Sequence, residues 1–297
     1  MKSDNQNLLD QELYLPLPVT RDLFAKGMTV LAFILTAIAL LPLFSMIWSI
    51  ISQGLPNFSW EVFVSLPAAL GEEGEPNGFA NAIVGTLTMV GLAALVSVPF
   101  GIMTGIFLSE FAAGSKIGNA IRFVTIILSS VPSVIIGVFS YGVLVITTKQ
   151  FSAIAGGFAL AVIMLPIVSL TTEEALKLVP VPYRLGSSAL GGNRLQTTFK
   201  IILPTALSGI MTGVLLAVAR AAGETAPLMF TALFSQFWQE SLMSPTPSLP
   251  VLIYTYASSP FPEQNAIAWT ASLVLLLLVL VISLSSRSLT RNRLKSH

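Results

Sequence analysis

Six long apolar segments constrain this chain more than any other feature of its sequence. A membrane-spanning helix needs about 20 predominantly apolar residues to cross a hydrocarbon core about 30 Å thick. Of the 297 residues, 54% are hydrophobic and 10% are charged, whereas an average soluble domain has about 25% charged residues. The sequence therefore predicts an all-α integral membrane protein with six transmembrane helices, which we place near residues 27–51, 80–108, 122–147, 151–170, 205–233 and 266–286.

The basic residues fall on one side of these segments. If the N-terminus lies in the cytoplasm, Lys149 is the one basic residue outside and Arg220 is the one within the membrane. The loops expected outside, 52–79 and 234–265, contain glutamates but no Lys or Arg, and their Gly, Pro, Asn and Ser residues predict irregular connections with short surface helices. Since Lys and Arg concentrate in cytoplasmic loops, both termini are expected in the cytoplasm.

The first apolar segment is expected to remain in the mature chain. It follows 26 other residues, its apolar run is too long for a signal peptide, and no small-residue cleavage site comes after it. The ends of the chain are therefore predicted to be a cytoplasmic segment 1–26, followed by a first span 27–51, and a cytoplasmic tail 287–297.

The residue inventory excludes most catalytic and metal-binding chemistry. The chain has no cysteine, and its only histidine is His297. Disulfides, Fe–S clusters, histidine metal sites and a histidine general base are therefore excluded. No G-x-x-x-x-G-K-[ST] loop occurs, so the chain cannot cradle ATP phosphates in the P-loop manner. We expect a chain that is not an enzyme, binds no metal or cofactor, and draws any energy from ATP through another subunit.

The connection between the fourth and fifth spans has a distinctive sequence. It reads TTEEALKLVPVPYRLGSSALGGNRLQTTFKIILP over residues 171–204. Pro180 and Pro182 should end one helix near Leu178, and a second short helix from about Pro182 to Leu190 should stop at the turn that begins with Gly191. A short helix held across the cytoplasmic face by two spans is well placed to be gripped by a soluble partner.

This connection resembles the EAA loop of ABC-superfamily importer permeases. That loop has a Glu-Ala-Ala triplet, a Gly four residues after the last Ala, and Ile-x-Leu-Pro after nine more. The matching positions here are the triplet Leu185, Gly186 and Ser187, then Gly191, then the run Ile201–Pro204. The glycine and the Ile-x-Leu-Pro end match in register, whereas Leu185 replaces the usual acidic residue.

Three further segments narrow the resemblance. ARAAGETAPL at Ala219–Leu228 and VPSVIIG at Val131–Gly137 are similar to segments of the phosphate-specific (Pst) permeases. SLPVLIYTYASSPF at Ser248–Phe261 resembles the A-type subunit of that family more than its C-type paralogue. The chain is therefore identified as a member of this family, whose fold is the MetI-like core of type I ABC importers, over a permease core spanning residues 80–286.

The resemblance implies a division of labour among subunits. An A-type and a C-type permease would form the path for phosphate across the bacterial inner membrane, and a periplasmic binding protein would deliver the phosphate. Two copies of an ATPase, which use ATP and Mg²⁺, would dock on the EAA-type loop. The expected coupling residues in this chain are Leu185, Gly186, Ser187, Ala189, Leu190 and Gly191. Because Leu185 is apolar, the contact with the ATPase is expected to be mainly apolar.

Arg220 and Glu224 are charged residues inside the apolar run 204–233. A charge near the bilayer centre costs roughly 2.5 to 3.5 kcal/mol, so such residues usually face a partner or a substrate path. A guanidinium suits phosphate because its planar donors bind two oxygens and never deprotonate, and Glu224 could orient it or accept a hydrogen bond from a protonated phosphate. The alternative is a structural pair, in which residues four apart on one helix face neutralise each other.

Weaker candidates for the path lie beside two prolines. Ser130 and Ser133 flank Pro132, and Thr225 lies beside Pro227, where a missing N–H leaves polar groups available to line a path. Such hydroxyl groups also commonly bond to their own backbone. The pentapeptide GIMTG occurs at 101–105 and again at 209–213, and helix packing is a simpler explanation than a functional repeat.

Alternative functions remain open at this point. Leu185 and Leu170 depart from the family pattern, so the chain could be a membrane scaffold that mainly signals phosphate status. It could also serve an importer of another oxyanion. An ion-coupled carrier is a further alternative, and it would need no ATPase.

Overall fold

The computed structural model describes the backbone of residues 19–68 and 77–294 and the side chains up to residue 284. The described chain falls into two units, one ending at Ser52 and one beginning at Gln53. The first 18 residues of the predicted cytoplasmic segment, the outer-loop glutamates Glu72, Glu73 and Glu75, and the last three residues of the predicted tail lie outside the described residues.

Every regular secondary-structure element among the described residues is a helix. The helices are α1 Val19–Gly54, α2 Ala80–Ile106, α3 Lys116–Ser130, α4 Ser133–Ser140, α5 Ala153–Lys177, α6 Val181–Ala189, α7 Arg194–Thr197, α8 Leu203–Ala222, α9 Ala226–Thr231, α10 Leu249–Ala257 and α11 Pro262–Leu294. A 3₁₀ turn covers Trp60–Phe63, and π-helical turns extend α2 over Phe107–Phe111, α4 over Tyr141–Val145 and α7 over Thr198–Ile202. A short helical piece, Ile146–Thr148, completes α4.

The membrane-spanning prediction is confirmed with one qualification. Among the described residues, five helices are long and apolar enough to cross a membrane, or six if the bent pair formed by α3 and α4 is one span. The helix that contains the predicted first span, α1, runs from Val19 to Gly54, and the side chains of its apolar stretch are exposed, as expected for a helix covered by lipid. The chain is therefore a multi-pass membrane protein.

The third predicted span, 122–147, is not one straight helix. It divides into α3 and α4, which meet at an angle of 101°. Val131 takes an extended conformation with φ −68° and ψ 130°, because the ring of Pro132 disfavours a helical conformation in the residue before it. The missing N–H of Pro132 also removes a helical hydrogen bond.

The fifth predicted span, 205–233, is also interrupted. The helix α8 ends at Ala222, with Gly223 as its C-cap, and α9 starts at Ala226 with Pro227 in its first turn. The predicted span 205–233 is therefore divided between α8 and α9, and the interruption lies beside Thr225 and Pro227.

Glycines allow the helices α2 and α8 to pack closely against α5. The first GIMTG motif lies on α2, where a Cβ added to Gly105 would come 2.6 Å from the Cβ of Thr172. The second lies on α8, where a Cβ added to Gly213 would come 2.1 Å from the Oγ1 of Thr171. Both distances are shorter than real Cβ contacts, so only glycine fits at these two positions. The packing interpretation of the repeated pentapeptide is confirmed.

The helix α10 differs from the predicted short surface helix of the outer loop. Leu249, Leu252 and Tyr256 are buried where α10 packs against α11 and α2. The backbone N–H of Leu249 donates to the Oγ1 of Thr86 on α2, at 2.9 Å. A hydroxyl from a neighbouring helix thus satisfies an N-terminal donor that the side chain of Ser248 does not cap.

Candidate coupling surface and transport path

The connector, which we define as residues 178–193, joins α5 to α7 at one end of the bundle. The helix α5 continues past its predicted membrane end at 170 to Lys177, and α6 follows from Val181. Gly191 has φ +82°, a left-handed conformation that side chains with a Cβ resist. Asn193 then starts α7 through a capping box with Gln196, in which each side chain accepts from the other residue's backbone N–H. The predicted helix, stop and turn are all confirmed.

The connector presents apolar side chains on its outside. We define the connector surface as Leu178, Val181, Leu185 and Leu190, all of which are exposed. Leu185 is 64% exposed and Leu190 is 91% exposed, and a Cβ at Gly186 would meet nothing within 4 Å. The four side chains lie on or next to α6, which makes the connector surface a candidate interaction site.

One of the predicted coupling residues points inward. Ser187 is buried, and its Oγ lies 2.7 Å from the Oγ1 of Thr197 on α7. A Cβ at Gly192 would lie 2.5 Å from the same Oγ, so the chain turns tightly against this serine. The other predicted coupling residues, Leu185, Gly186, Ala189, Leu190 and Gly191, are exposed. Ser187 therefore joins α6 to α7 instead of facing outward.

Two buried carboxylates hold the connector end of the bundle together, and the sequence pattern did not single them out. Glu110, in the π-helical turn after α2, accepts from Arg184 of α6 at 2.7 Å. Glu173 of α5 is paired with Arg122 of α3, whose Nε lies 3.0 Å from Oε1, and with Lys177 at 2.6 Å. The signal available in the sequence is an acidic residue shortly after each of two apolar runs, Glu110 after 80–108 and Glu173 after 151–170.

The pair formed by Arg220 and Glu224 has a different character. Arg220 lies in the last turn of α8, and Glu224 lies beyond the helix end, so the two do not share a helix face as predicted. The side chain of Arg220 is 53% exposed, and its Nε lies 3.5 Å from Oε1 of Glu224, which is longer than the roughly 2.7 to 3.2 Å of an ordinary N–H···O hydrogen bond. Among the described side chains, the guanidinium makes no other hydrogen bond. Its remaining N–H groups have no hydrogen-bond acceptor among the described residues.

The two segments that flank the helix breaks meet each other. A Cβ added to Gly137 of α4 would lie 2.7 Å from the Cα of Pro227 of α9, so the two helices touch closely. Thr225, before α9, and Ser133, in the first turn of α4, are half-buried. Ser130 is exposed, and its Oγ donates to the carbonyl of Ile126 at 2.9 Å, as expected for a hydroxyl that bonds to its own helix.

A metal site is not evident in the described part of the chain. Within residues 19–68 and 77–294, no group of three or more His, Asp or Glu side chains lies close enough to hold a metal ion.

Known proteins resemble this chain along most of its length. Residues 97–295 match the family described as binding-protein-dependent transport system inner membrane component. The phosphate transport system permease protein PstA of Haemophilus influenzae is 41% identical over 262 residues, which cover 88% of this chain and 92% of that protein. A probable phosphate transport system permease protein PstA of Methanocaldococcus jannaschii is 40% identical over 263 residues, with the same two coverages of 88% and 92%.

Two solved transporters share the fold. An inward-facing MetNI methionine ABC transporter chain aligns with a TM-score of 0.58 and 20% identity, covering 71% of this chain and 94% of that chain. A chain of a bacterial ABC transporter that imports alginate aligns with a TM-score of 0.59 and 17% identity, covering 92% and 97%. At these identities the likeness concerns the fold, which is that of an ABC importer permease.

Proposed function

This chain belongs to the family of binding-protein-dependent transport system inner membrane components, and we propose that it is a permease subunit of an ATP-driven importer of inorganic phosphate. It forms half of the translocation path and couples to an ATPase subunit. The observation that carries the proposal is the half-exposed guanidinium of Arg220 at the break after α8, together with the identity of about two residues in five shared with permeases named for phosphate transport.

Arg220 is suited to bind phosphate as it passes. The planar guanidinium can donate two parallel hydrogen bonds to two phosphate oxygens and stays charged at any physiological pH. The side chain of Arg220 is 53% exposed and has a single contact among the described side chains, with Glu224 at 3.5 Å, so most of its donors are free to bind phosphate. Glu224 is 15% exposed, and it orients the guanidinium or accepts from a protonated phosphate oxygen. Thr225, Ser133 and Ser130 lie beside the two breaks and supply further polar groups to the path.

The partners follow from the two ends of the molecule. The connector surface is the docking site for one of two ATPase copies, which bind the ATP and Mg²⁺. A paralogous C-type permease forms the other half of the path, and a periplasmic binding protein delivers phosphate to the outer loops. The complex lies in the inner membrane, and both termini of this chain are cytoplasmic. Two features of the sequence support this orientation: basic residues occur in the connector and its flanks, and Lys and Arg are absent from loops 52–79 and 234–265.

The test is uptake of labelled phosphate by the complete complex in proteoliposomes loaded with ATP. Arg220→Gln should reduce uptake to background, and Arg220→Lys should restore it in part, because an ammonium keeps the charge and loses the two-pronged geometry. Lys200→Gln is the matched control, since it removes one positive charge from the same helical segment at an exposed position outside the path. Competition with sulfate separates phosphate from other oxyanions.

The double variant Arg220→Gln with Glu224→Gln distinguishes the two interpretations of the pair. A structural pair is relieved when both charges are removed, so uptake should recover. A phosphate ligand is lost in either case, so the double variant should stay inactive. Recovery to near wild-type uptake would eliminate Arg220 as a phosphate ligand.

A further inference from the structure

The side chain of Arg184 joins three helices at one point. It lies on α6, and its guanidinium donates to Glu110 of the turn after α2, from Nη2 to Oε1 at 2.7 Å and from Nε to Oε2 at 3.5 Å. The same guanidinium donates to two carbonyls at the end of α5, to Leu176 at 3.0 Å and to Val179 at 2.8 Å. Every N of the guanidinium is therefore used inside the protein.

The carboxylate in these contacts is largely shielded from water, whereas the side chain of Arg184 is 28% exposed. The side chain of Glu110 is 9% exposed, and its Oε1 also accepts from the hydroxyl of Ser109 at 3.0 Å. The carbonyl of Leu176 lies in the last turn of α5 and also accepts from the backbone N–H of Val179 at 3.3 Å, whereas the carbonyl of Val179 lies just after the helix. Arg184 thus serves both as the counter-ion of a buried carboxylate and as the C-terminal cap of α5.

The helix α6 has few other attachments. Ser187 is its only buried residue, and it bonds to Thr197 of α7. Leu185 and Leu190 point outward, and Gly186 has open space beside it. The two inward side chains lead to different parts of the bundle, because Arg184 reaches α2 and α5 whereas Ser187 reaches α7, which continues into α8.

We propose that Arg184 is a positioning residue that fixes the connector helix α6 to the ends of α2 and α5, so that a displacement of α6 is passed to both helices. This inference rests on the proposed function, in which the displacement comes from an ATPase docked on the connector surface. The helices α2 and α5 pack against each other along much of their length, with Gly101 and Gly105 of α2 against Val168 and Thr172 of α5. A movement delivered at their shared end is therefore carried into the membrane by both together.

The attachment itself can be tested without reference to transport. Hydrogen exchange of the chain in lipid nanodiscs, followed by mass spectrometry, should show that Arg184→Gln reduces protection of residues 181–189 by about tenfold or more, with protection in the middle of α2 and α5 unchanged. A residue that only stabilises the fold would change protection throughout the bundle. Lys177→Gln is the matched control, because it removes an exposed cation from the same end and leaves α6 untouched.

Two further variants keep the test informative if Arg184→Gln does not assemble. Arg184→Lys retains a charge that reaches Glu110 but cannot reach both carbonyls as well, so protection of α6 should be intermediate. Glu110→Gln keeps an acceptor for Arg184 and removes the ion pair, so it should loosen α6 less than Arg184→Gln does. Unchanged protection of α6 in all three variants would overturn the attachment.

The transmission is tested in the complete complex by the ratio of phosphate taken up to ATP hydrolysed. In Arg184→Gln the ATPase should still copurify and hydrolyse ATP, and uptake per ATP should fall by about tenfold. Loss of α6 protection with an unchanged ratio would overturn transmission through Arg184. A wild-type complex without ATP-dependent phosphate uptake would instead overturn the proposed function, while the exchange data would still decide whether Arg184 fixes α6.

Discussion

Charged residues at the connector end and at the break after α8 are held in opposite ways. Glu110 and Glu173 are almost fully buried, and each has at least two hydrogen-bond donors on its oxygens. Arg220 is half exposed and has one long contact with Glu224. A charge near the end of an apolar helix is thus insufficient to indicate a substrate path, since Glu173 lies near the end of α5 just as Arg220 lies in the last turn of α8. Unused hydrogen-bonding capacity is the feature that distinguishes them.

The largest expected effect tests this difference directly. Glu173→Ala removes the buried counter-ion of Arg122, whose own side chain is 28% exposed, and should reduce the free energy of unfolding by about 1.5 to 3 kcal/mol. Glu224→Ala removes the partner of a largely accessible charge and should cost about 1 kcal/mol or less. Thermal or denaturant unfolding of the purified chain in detergent measures both. Equal losses would contradict the distinction between a structural and an available charge.

A second prediction concerns the close packing of α8 against α5. A Cβ at position 213 would lie 2.1 Å from the Oγ1 of Thr171, so Gly213→Ala forces α8 away from α5 and should cost about 1 to 3 kcal/mol. Gly91→Ala is the control on α2, where nothing lies within 4 Å of the added Cβ. There alanine should be neutral or slightly stabilising, because it favours the helix. If both variants unfold alike, the close approach of α8 and α5 is not important for stability.

The sequence predicted those features that depend on short stretches of residues. Apolar run lengths give the spans, and the connector prolines with Gly191 give the boundaries of α6, because proline and positive φ act locally. The 101° bend before Pro132 and the end of α8 before Pro227 were only partly foreseen. Proline weakens a helix wherever it occurs, but α5 continues through Pro166 and α1 continues through Pro42, so the presence of a proline does not by itself decide where a span breaks.

Features that depend on distant partners could not be read from the sequence. Glu110 pairs with Arg184 across 74 residues, and the N-terminus of α10 depends on Thr86, 163 residues away. The two GIMTG motifs were visible as a repeat, but their common partner α5 was not. For the candidate path, the residue types of Arg220 and Glu224 were evident, whereas their weak mutual contact requires knowing that α8 ends at Ala222.

The third prediction separates backbone strain in the connector from its effect on the ATPase. Gly191→Val places a β-branched residue at φ +82°, at a cost of about 1 to 2 kcal/mol, and should reduce copurification of the ATPase. Gly114→Val imposes the same kind of strain at φ +73° in the turn between α2 and α3, which is outside the connector. Both variants should lose similar stability, and only Gly191→Val should lose the ATPase. Normal copurification and uptake in Gly191→Val would argue against a coupling role for this turn.

The smallest expected effect concerns the chemistry of the connector surface. Leu185 occupies the position where relatives of the EAA type usually have an acid, and it is 64% exposed in a surface made of Leu178, Val181 and Leu190. If the ATPase covers this surface, burying a carboxylate there without a partner is costly, so Leu185→Asp should weaken ATPase binding by about tenfold. The variant Leu185→Met keeps an apolar side chain of similar volume, so its affinity for the ATPase should lie within about twofold of the wild type. Titration of the ATPase onto the permease in nanodiscs measures both affinities. Tighter binding by Leu185→Asp would mean that the ATPase offers a cation at this position and that the contact is polar, as in relatives with the acidic residue.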